Sequence, residues 1–515
     1  MLDKNFYRVT AYFLILAMVT GLAGCGNLAT SESEVPASKV LKPEGAVVEL
    51  TMKGAEVKKA TVTLDNGQVD YFEGGELFSP DFKWAAFSGT ENGFGQGLWV
   101  FALDGSGARL IEKIQGEDFE SGAFRLWLLG WDNSGNLIYA ISGRFKEGKH
   151  QGEDGLLFKK YDPESEDTKE IGRLPLKGGY WSRMMFNRPQ NSVFVDLVSE
   201  IWKVDVAKET VSCLKKGLPS YDGLFYPRLS RVGDYFAYEK YEPDVPGIYI
   251  LDTKTGEEKV LAKGGEVIRF SPLWSPDGRH IAYYSAAKDD KGCFDLIEGE
   301  NYPYPVGDFI EIVNVKNSSG IKIEIPGKKV GYATWNYDGT ALLFCAISEE
   351  KAEEIKEMSA IGAQEIENIP WDGLYIADLA GNVTEIAKGL RPPAAAYLNK
   401  NKSAVYFVDL DVTASSCDLL YLPVGREKMK LDPGGVKKWI VNEDGIAEYK
   451  GNPVLAAYLQ DGTFQLYIFE DEKAKDVFSE SGSLWRYTAV GDYLVLSYTT
   501  KEGQKEKLEF IKLKD

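Results

Sequence analysis

The chain has 515 residues, with 59 Lys and Arg against 78 Asp and Glu, a formal net charge of −19. Its content of 44% hydrophobic and 12% aromatic residues supplies a large core and excludes an intrinsically disordered protein. The negative balance opposes nucleic acid and anionic lipid headgroups as general partners.

At the N-terminus, Met1–Arg8 carries Lys4 and Arg8, Val9–Thr20 is a short apolar run, and Leu22-Ala23-Gly24-Cys25 closes it with small residues. The run falls short of the ~20 residues that a helix needs to cross hydrocarbon. A cleaved leader over residues 1–24 is therefore expected. The stretch resembles the bacterial lipoprotein signal, with Cys25 at the modified position of the lipobox. The resemblance implies that Cys25 becomes a diacylglycerol-modified N-terminus, that this lipid anchors the chain to a bacterial membrane, and that the rest is extracytoplasmic. Loss of residues 1–24 brings the net charge to −20. Residues 25–45, rich in Ser, Thr, Glu, Pro and Ala, read as a flexible tether, and residues 46–515 as one folded domain. The other cysteines, Cys213, Cys293, Cys345 and Cys417, form no C-x-x-C and no metal-ligand spacing. Cys345, inside the apolar run LLFCAI, reads as a buried small hydrophobe.

From Phe78 onward one pattern returns, an apolar run, a tight polar turn and a second apolar run. Its clearest copy is Phe270–Ala286, FSPLWSPDGRHIAYYSA, where Ser275-Pro276-Asp277-Gly278 supplies a preset φ, a self-bonding side chain and a residue tolerant of positive φ. Phe78–Gly89, Trp131–Ser142 and Trp335–Ser348 are close copies. Phe186–Val195, Leu229–Tyr238, Tyr397–Val408 and Val490–Tyr498 are looser ones, and Asn442–Gly445 is a weak candidate turn. Each first hairpin is followed by a second, as in Gly97–Ile111, Glu200–Leu214, Gly247–Leu261, Gly373–Ala387 and Gln465–Phe478. Four short strands per repeat indicate an all-β protein, a β-propeller of four-stranded antiparallel blades. The turns favour eight blades, with seven as the alternative. The last repeat has three strands at most after Leu484, and the alternating segment Val47–Leu64 is expected to supply the fourth and close the ring. The SPDG hairpin followed by an L-Y-I-x-D-type strand resembles the WD40-like (PD40-type) repeat of TolB-type propellers. That resemblance implies the fold and leaves function open, because such repeats serve assembly factors, surface-binding lipoproteins and the non-catalytic propellers of peptidases.

Long connections between second and third strands, Ser142–Gly155, Ser285–Asp308 and Ser348–Asp372, put the loop chemistry on one face. The last begins SEEKAEEIKEM, the composition of a short solvated helix, and the middle one carries Tyr302-Pro303-Tyr304-Pro305. Only two histidines exist, His150 and His280, and no G-x-S-x-G occurs, which argues against a Ser-His-Asp hydrolase. Asp132–Asn136 and Asp409–Asp411 resemble calcium loops but lack the bidentate acid, so they read as turns. No catalytic residue, metal or cofactor is expected. The leading expectation is a lipid-anchored propeller that binds a protein, an anionic small molecule or a glycan on its loop-rich face without chemistry. The alternatives are a propeller enzyme cleaving glycans through paired carboxylates and an envelope-assembly scaffold resembling TolB.

Arginine is scarce, fourteen against forty-five lysines, yet six lie before or within first strands: Arg125, Arg183, Arg228, Arg269, Arg391 and Arg486. They are expected to gather at the channel mouth on the loop-rich face; counted back from the turns, Arg183, Arg228, Arg269 and Arg486 share odd offsets and project to the same side of their strands, whereas Arg125 and Arg391 fall at even ones. Converging guanidinium groups would bind a carboxylate or phosphate; the competing reading is that each pairs with a neighbouring blade's acid.

Overall fold

The computed structural model describes residues 38–513 except 43–45, 54–55, 66–67, 70–76, 92–94, 116–123, 146–150, 177–180, 198, 219–227, 231, 241–246, 288–305, 361–369, 391–392, 412–415, 442–445 and 502–504. Cys25, His150, Cys293, the Tyr302–Pro305 tip and Arg391 thus lie outside the described residues. Strands dominate, and the α-helix among the described residues, Glu349–Ala360, stands where the acidic Ser348–Asp372 insertion is expected to form it.

Consecutive strands pair antiparallel into eight connected sheets, six of four strands, one of five and one of ten. This succession of four-stranded antiparallel sheets is the arrangement of a β-propeller. We number the four-strand repeats as units: 68–115, 125–175, 181–216, 228–263, 267–323, 328–390 and 393–430 are units 1 to 7. The ten-stranded sheet holds two more, because the long strand Lys473–Val490 pairs first with Thr463–Glu470 and then with Tyr493–Thr500. Unit 8 starts at Val436–Ile440. Its candidate turn Asn442–Gly445 lies outside the described residues, but Val436–Ile440 and Ala447–Tyr449 both pair with Asn452–Leu459. The tight turn is instead Lys450-Gly451, both at positive φ, the geometry that suits a two-residue hairpin. Unit 9 has three strands from the C-terminus, and Glu56–Asp65 pairs with the last of them, Lys505–Lys512. Val47–Lys53 and then Ser38–Leu41 extend that sheet. Strand structure is thus already present at Ser38–Leu41, inside the stretch expected to be tether, where Val40 and Leu41 have strand partners at Glu49 and Val48.

Side chains alternate across each second strand, and this alternation builds the core. Leu137 and Tyr139 of unit 2 pack with Ala86 and Leu98 of unit 1, whereas Ile138 and Ala140 pack with Val193 and Val195 of unit 3. The same holds along the chain, so that nine apolar layers each join two successive units. One of them joins unit 9 and the N-terminal strands to unit 1, through Val62, Leu508, Phe510, Phe87 and Phe101.

What recurs in the first turns is a buried polar residue at the turn's start: Ser79, Asp132, Asn187, Ser230, Ser275, Asn336 and Asn399. Its side chain answers backbone N–H groups that the turn leaves unpaired. Asn336 Oδ1 accepts from Thr340 N at 3.0 Å and Ala341 N at 2.9 Å, and Ser275 Oγ from His280 N at 2.9 Å. Asp132 accepts from the backbone N–H of Ser134 and Asn136, so this acid caps its own turn.

Ionic staples join units at their outer strands. Glu258 of unit 4 binds Lys240 at 2.7 Å within its own sheet and Lys215 of unit 3 at 3.1 Å. Burial alone would raise the Glu258 pKa; hydrogen bonds from Lys240, Tyr238 and Lys215 outweigh it and hold the carboxyl below its usual range. A depressed folded pKa contributes stability above the unfolded pKa, which is lost as pH falls through the folded value. Glu258→Gln is therefore expected to shrink the fall in urea midpoint between about pH 7 and about pH 3. Equal falls in the two proteins would contradict the staple.

Candidate functional site

Among the described residues, a unit's first strand pairs only with its second strand in units 1, 2, 3, 4, 5, 7 and 8, leaving one row of backbone groups unshared. Seven first strands also carry a register shift against their partner, in units 2, 3, 5, 6, 7, 8 and 9. An extra residue breaks the period of two and re-aims the side chains around it.

Common register can be read from which second-strand residues face the preceding unit. By that measure, and by the register shift that the third strands of units 2, 3, 6 and 8 share, Ala140, Asp196, Tyr284, Cys345, Val408, Ala456 and Ser497 stand at one level. Opposite them are Trp127 in unit 2, Arg183 in unit 3, Phe270 in unit 5, Gly331 in unit 6, Ala395 in unit 7, Ile440 in unit 8 and Arg486 in unit 9. The level is thus divided. Units 9, 2 and 3 present cations and an indole, whereas units 5, 6, 7 and 8 present apolar or small residues. In units 3 and 9 the cation directly follows the bulged residue, Ser182 or Trp485.

Two tryptophans of this arc are exposed, Trp127 at 37% and Trp485 at 62%. Each indole N–H is held by a hydroxyl at the same place in the paired strand: Trp127 Nε1 donates to Ser142 Oγ at 3.1 Å and Trp485 Nε1 to Thr499 Oγ1 at 2.6 Å. The polar edge of each indole is thereby satisfied.

The arginines singled out by offset do not share one level. Arg183 and Arg486 do. Arg228, opposite Ala237, lies nearer the turn, and Arg269, opposite Ser285, lies one residue farther from it. Bulges of different position make the sequence offsets misleading. Arg269 is bound by Glu311 of its own sheet, Nε to Oε2 at 2.7 Å and Nη2 to Oε1 at 3.3 Å. Burial works against the Arg269 charge, and Glu311 outweighs it, raising the pKa. Arg183 is exposed and faces the buried Asp196 across its pair of strands. Arg125 and Arg228 remain at strand ends, Arg125 donating to Phe124 O at 2.8 Å. Sequence reasoning missed Trp127 and Trp485, since their significance depends on bulges that leave no residue signature.

The buried acids have other places. Asp132 caps a turn, Glu506 accepts from Ser497, and Glu509 accepts from Tyr498 at 2.8 Å and Thr61 at 3.3 Å, with Lys59 at 2.8 Å. His280 is half-buried, its Nε2 3.3 Å from Asn314 Nδ2, and burial lowers its pKa. Among the described residues no group of three or more His, Cys, Asp and Glu side chains is arranged to hold a metal ion.

No protein-family profile and no curated protein matches this chain. Similar solved structures include TolB from Acinetobacter baumannii, 12% identical over 77% of this chain and 82% of that one, with a TM-score of 0.29. An oligogalacturonate lyase from Vibrio parahaemolyticus is 11% identical over 69% and 97%, with a TM-score of 0.36. A eukaryotic initiation factor is 9% identical over 86% and 95%, with a TM-score of 0.44. Likenesses this distant carry no inference about activity.

Proposed function

We propose that the chain is a lipid-anchored, extracytoplasmic β-propeller that binds an anionic ligand along its first strands and performs no chemistry on it. The observation that carries the binding reading is the divided level: Trp127, Arg183 and Arg486 on one arc, with bulged Trp485 beside them. First strands line the channel of a propeller, so this arc faces what enters it. The sign fits an anion even though the chain as a whole is acidic, because local cations set the potential of a recessed site. The non-catalytic reading is supported by the buried acids, each committed to a turn, a seam or a cross-strand neighbour.

The ring has nine blades in this reading, one more than the eight favoured from the turns. Nine apolar layers for nine units, the last joining unit 9 to unit 1, support a closed cycle, with Glu56–Asp65 as the strand that seals it. Anchoring rests on the lipobox at Leu22–Cys25. In a bacterial host, Cys25→Ser is expected to leave the leader uncleaved by the lipoprotein peptidase and the chain without lipid; a Cys25→Ser protein that still incorporates labelled fatty acid would refute the anchor. A photo-crosslinking residue at position 485, compared with one at Thr384 on an outer strand, tests the binding arc on intact cells. Capture is expected from position 485 alone. Equal capture, or capture only from Thr384, would move the binding surface elsewhere.

A further inference from the structure

We infer that the short turns of the units form a face that seats on the phospholipid surface holding the anchor; this rests on the lipid-anchored reading above and gives it an orientation. First turns, between first and second strands, and outer turns, between third and fourth, share that face. In units 1, 3, 4, 5, 7 and 9 the backbone N–H directly after the third strand donates to a carbonyl of the first turn, as Val424 N does to Ser403 O at 2.8 Å. First turns of successive units also touch one another. Gln190 Nε2 donates to Gly233 O at 2.7 Å between units 3 and 4, Lys450 pairs with Asp492 at 3.3 Å between units 8 and 9, and Phe82 stacks on Tyr493 at 6.1 Å between units 1 and 9.

Apolar side chains collect here. Of the nine large apolar side chains exposed among the described residues, Phe82, Val232, Tyr337 and Val424 stand in these turns, and Val383 and Met429 directly follow them. Turn positions ordinarily take polar residues, proline or glycine. Tyr337, 49% exposed, holds the place that Pro276 has in unit 5 and Asn133 in unit 2. Phe82 and Lys402 stand at φ 54° and 56°, where units 4, 5 and 6 have Gly233, Gly278 and Gly339. A residue other than glycine is strained at such φ, and at these two places the strained residue is an aromatic ring and a cation. Single apolar tips spread over several units do not make the clustered, pocketed anchor of a protein interface, but each can enter the interfacial layer of a bilayer on its own.

Charge and chain path point to the same occupant. The turns of unit 7 supply Lys400, Lys402, Arg426 and Lys428 against Glu427, a local excess of cations in a chain of net charge −19. The outer turn of unit 2 is the reverse, with Glu164 and Glu166. A face of both signs suits headgroups that carry phosphate and ammonium together better than it suits a polyanion. The described chain starts on this face: Ser38 pairs with Thr51 near the Lys53–Glu56 end of the N-terminal hairpin, and Lys39 Nζ donates to Gly105 O in the outer turn of unit 1. Ser38 is thirteen residues beyond Cys25, a reach of at most about 45 Å. So short a link keeps the face at a high effective concentration over the bilayer, and contacts too weak to recruit a free protein then suffice to seat it.

Lipid photo-crosslinking of the mature lipoprotein, reconstituted into vesicles of phosphatidylethanolamine and phosphatidylglycerol, tests this. A diazirine-bearing residue replaces Tyr337 or Val424 in the turns, or Glu266 in the connection between units 4 and 5 on the opposite face. Vesicle flotation reads the anchor, and phospholipid attached to the chain reads the seating. Capture from positions 337 and 424 is expected to exceed that from 266 at least about fivefold, and Arg426→Gln with Lys428→Gln should lower capture from 337 about threefold. If the protein floats but lipid is captured equally from all three positions, or from none, the seating is overturned and the anchor stands. Crosslinking to a second copy of the chain from 337 and 424, in place of lipid, overturns it as well. A protein that does not float refutes the anchor and the seating together.

Discussion

Phe510→Ala is expected to cost about 3–5 kcal/mol of stability, and deletion of residues 38–65 to abolish cooperative unfolding altogether. Phe510 is fully buried in the layer between unit 9 and unit 1, edge-on to Phe78 at 5.4 Å and to Phe101 at 5.3 Å between ring centroids. Truncation there leaves a cavity lined by Val62, Leu508 and Phe87 that rigid sheets cannot collapse. The deletion goes further, since it removes the partner of Lys505–Lys512 and exposes both a strand edge and the apolar residues that Val48, Leu50, Val57, Val62 and Leu64 cover. Aggregation during refolding should accompany it. Urea denaturation followed by tryptophan fluorescence reads both effects; a Phe510→Ala midpoint equal to that of the parent would mean that the seam contributes nothing to stability.

Repeat architecture is legible because each unit needs its own tight turn. Ser275-Pro276-Asp277-Gly278 advertises one through Pro and Gly, yet the feature shared by seven units is subtler, a single buried Ser, Asn or Asp that accepts backbone N–H groups. Three chemically different residues serve one hydrogen-bond role, so the looser copies look degenerate in sequence while staying uniform in structure. Unit 8 is harder to read for a related reason. Its first strand is split into Val436–Ile440 and Ala447–Tyr449, and its turn is Lys450-Gly451, without Pro or Asp. The binding arc is legible only in part. Arg183 and Arg486 share a level as their offsets suggest, but Arg228 and Arg269 do not, because an extra residue in a strand shifts everything beyond it and no side chain marks where the shift falls.

Gly247→Ala should destabilise the protein by about 3 kcal/mol or more, although it adds one methyl group to a strand. Gly247 opens the third strand of unit 4, between Lys240 and Lys263, with φ at +149°, a region that L side chains rarely adopt. A Cβ there would lie 2.1 Å from Ala262 O and 3.1 Å from Gly264 N. Neither obstacle is a side chain that can swing away; relief requires the fourth strand to move and its ladder to break. Gly482 is under the same constraint, at φ +145° with Thr499 O 2.1 Å from where a Cβ would stand. The glycine that begins the Gly247–Leu261 hairpin in sequence is thus set by a carbonyl of the neighbouring strand and not by turn geometry. Gly107, where an added Cβ would meet no heavy atom within 4 Å, is the control, and Gly107→Ala should be neutral or stabilising by up to about 1 kcal/mol. Urea midpoints with unchanged slopes would separate the two, and a Gly247→Ala midpoint matching that of Gly107→Ala would show that the fourth strand yields at little cost.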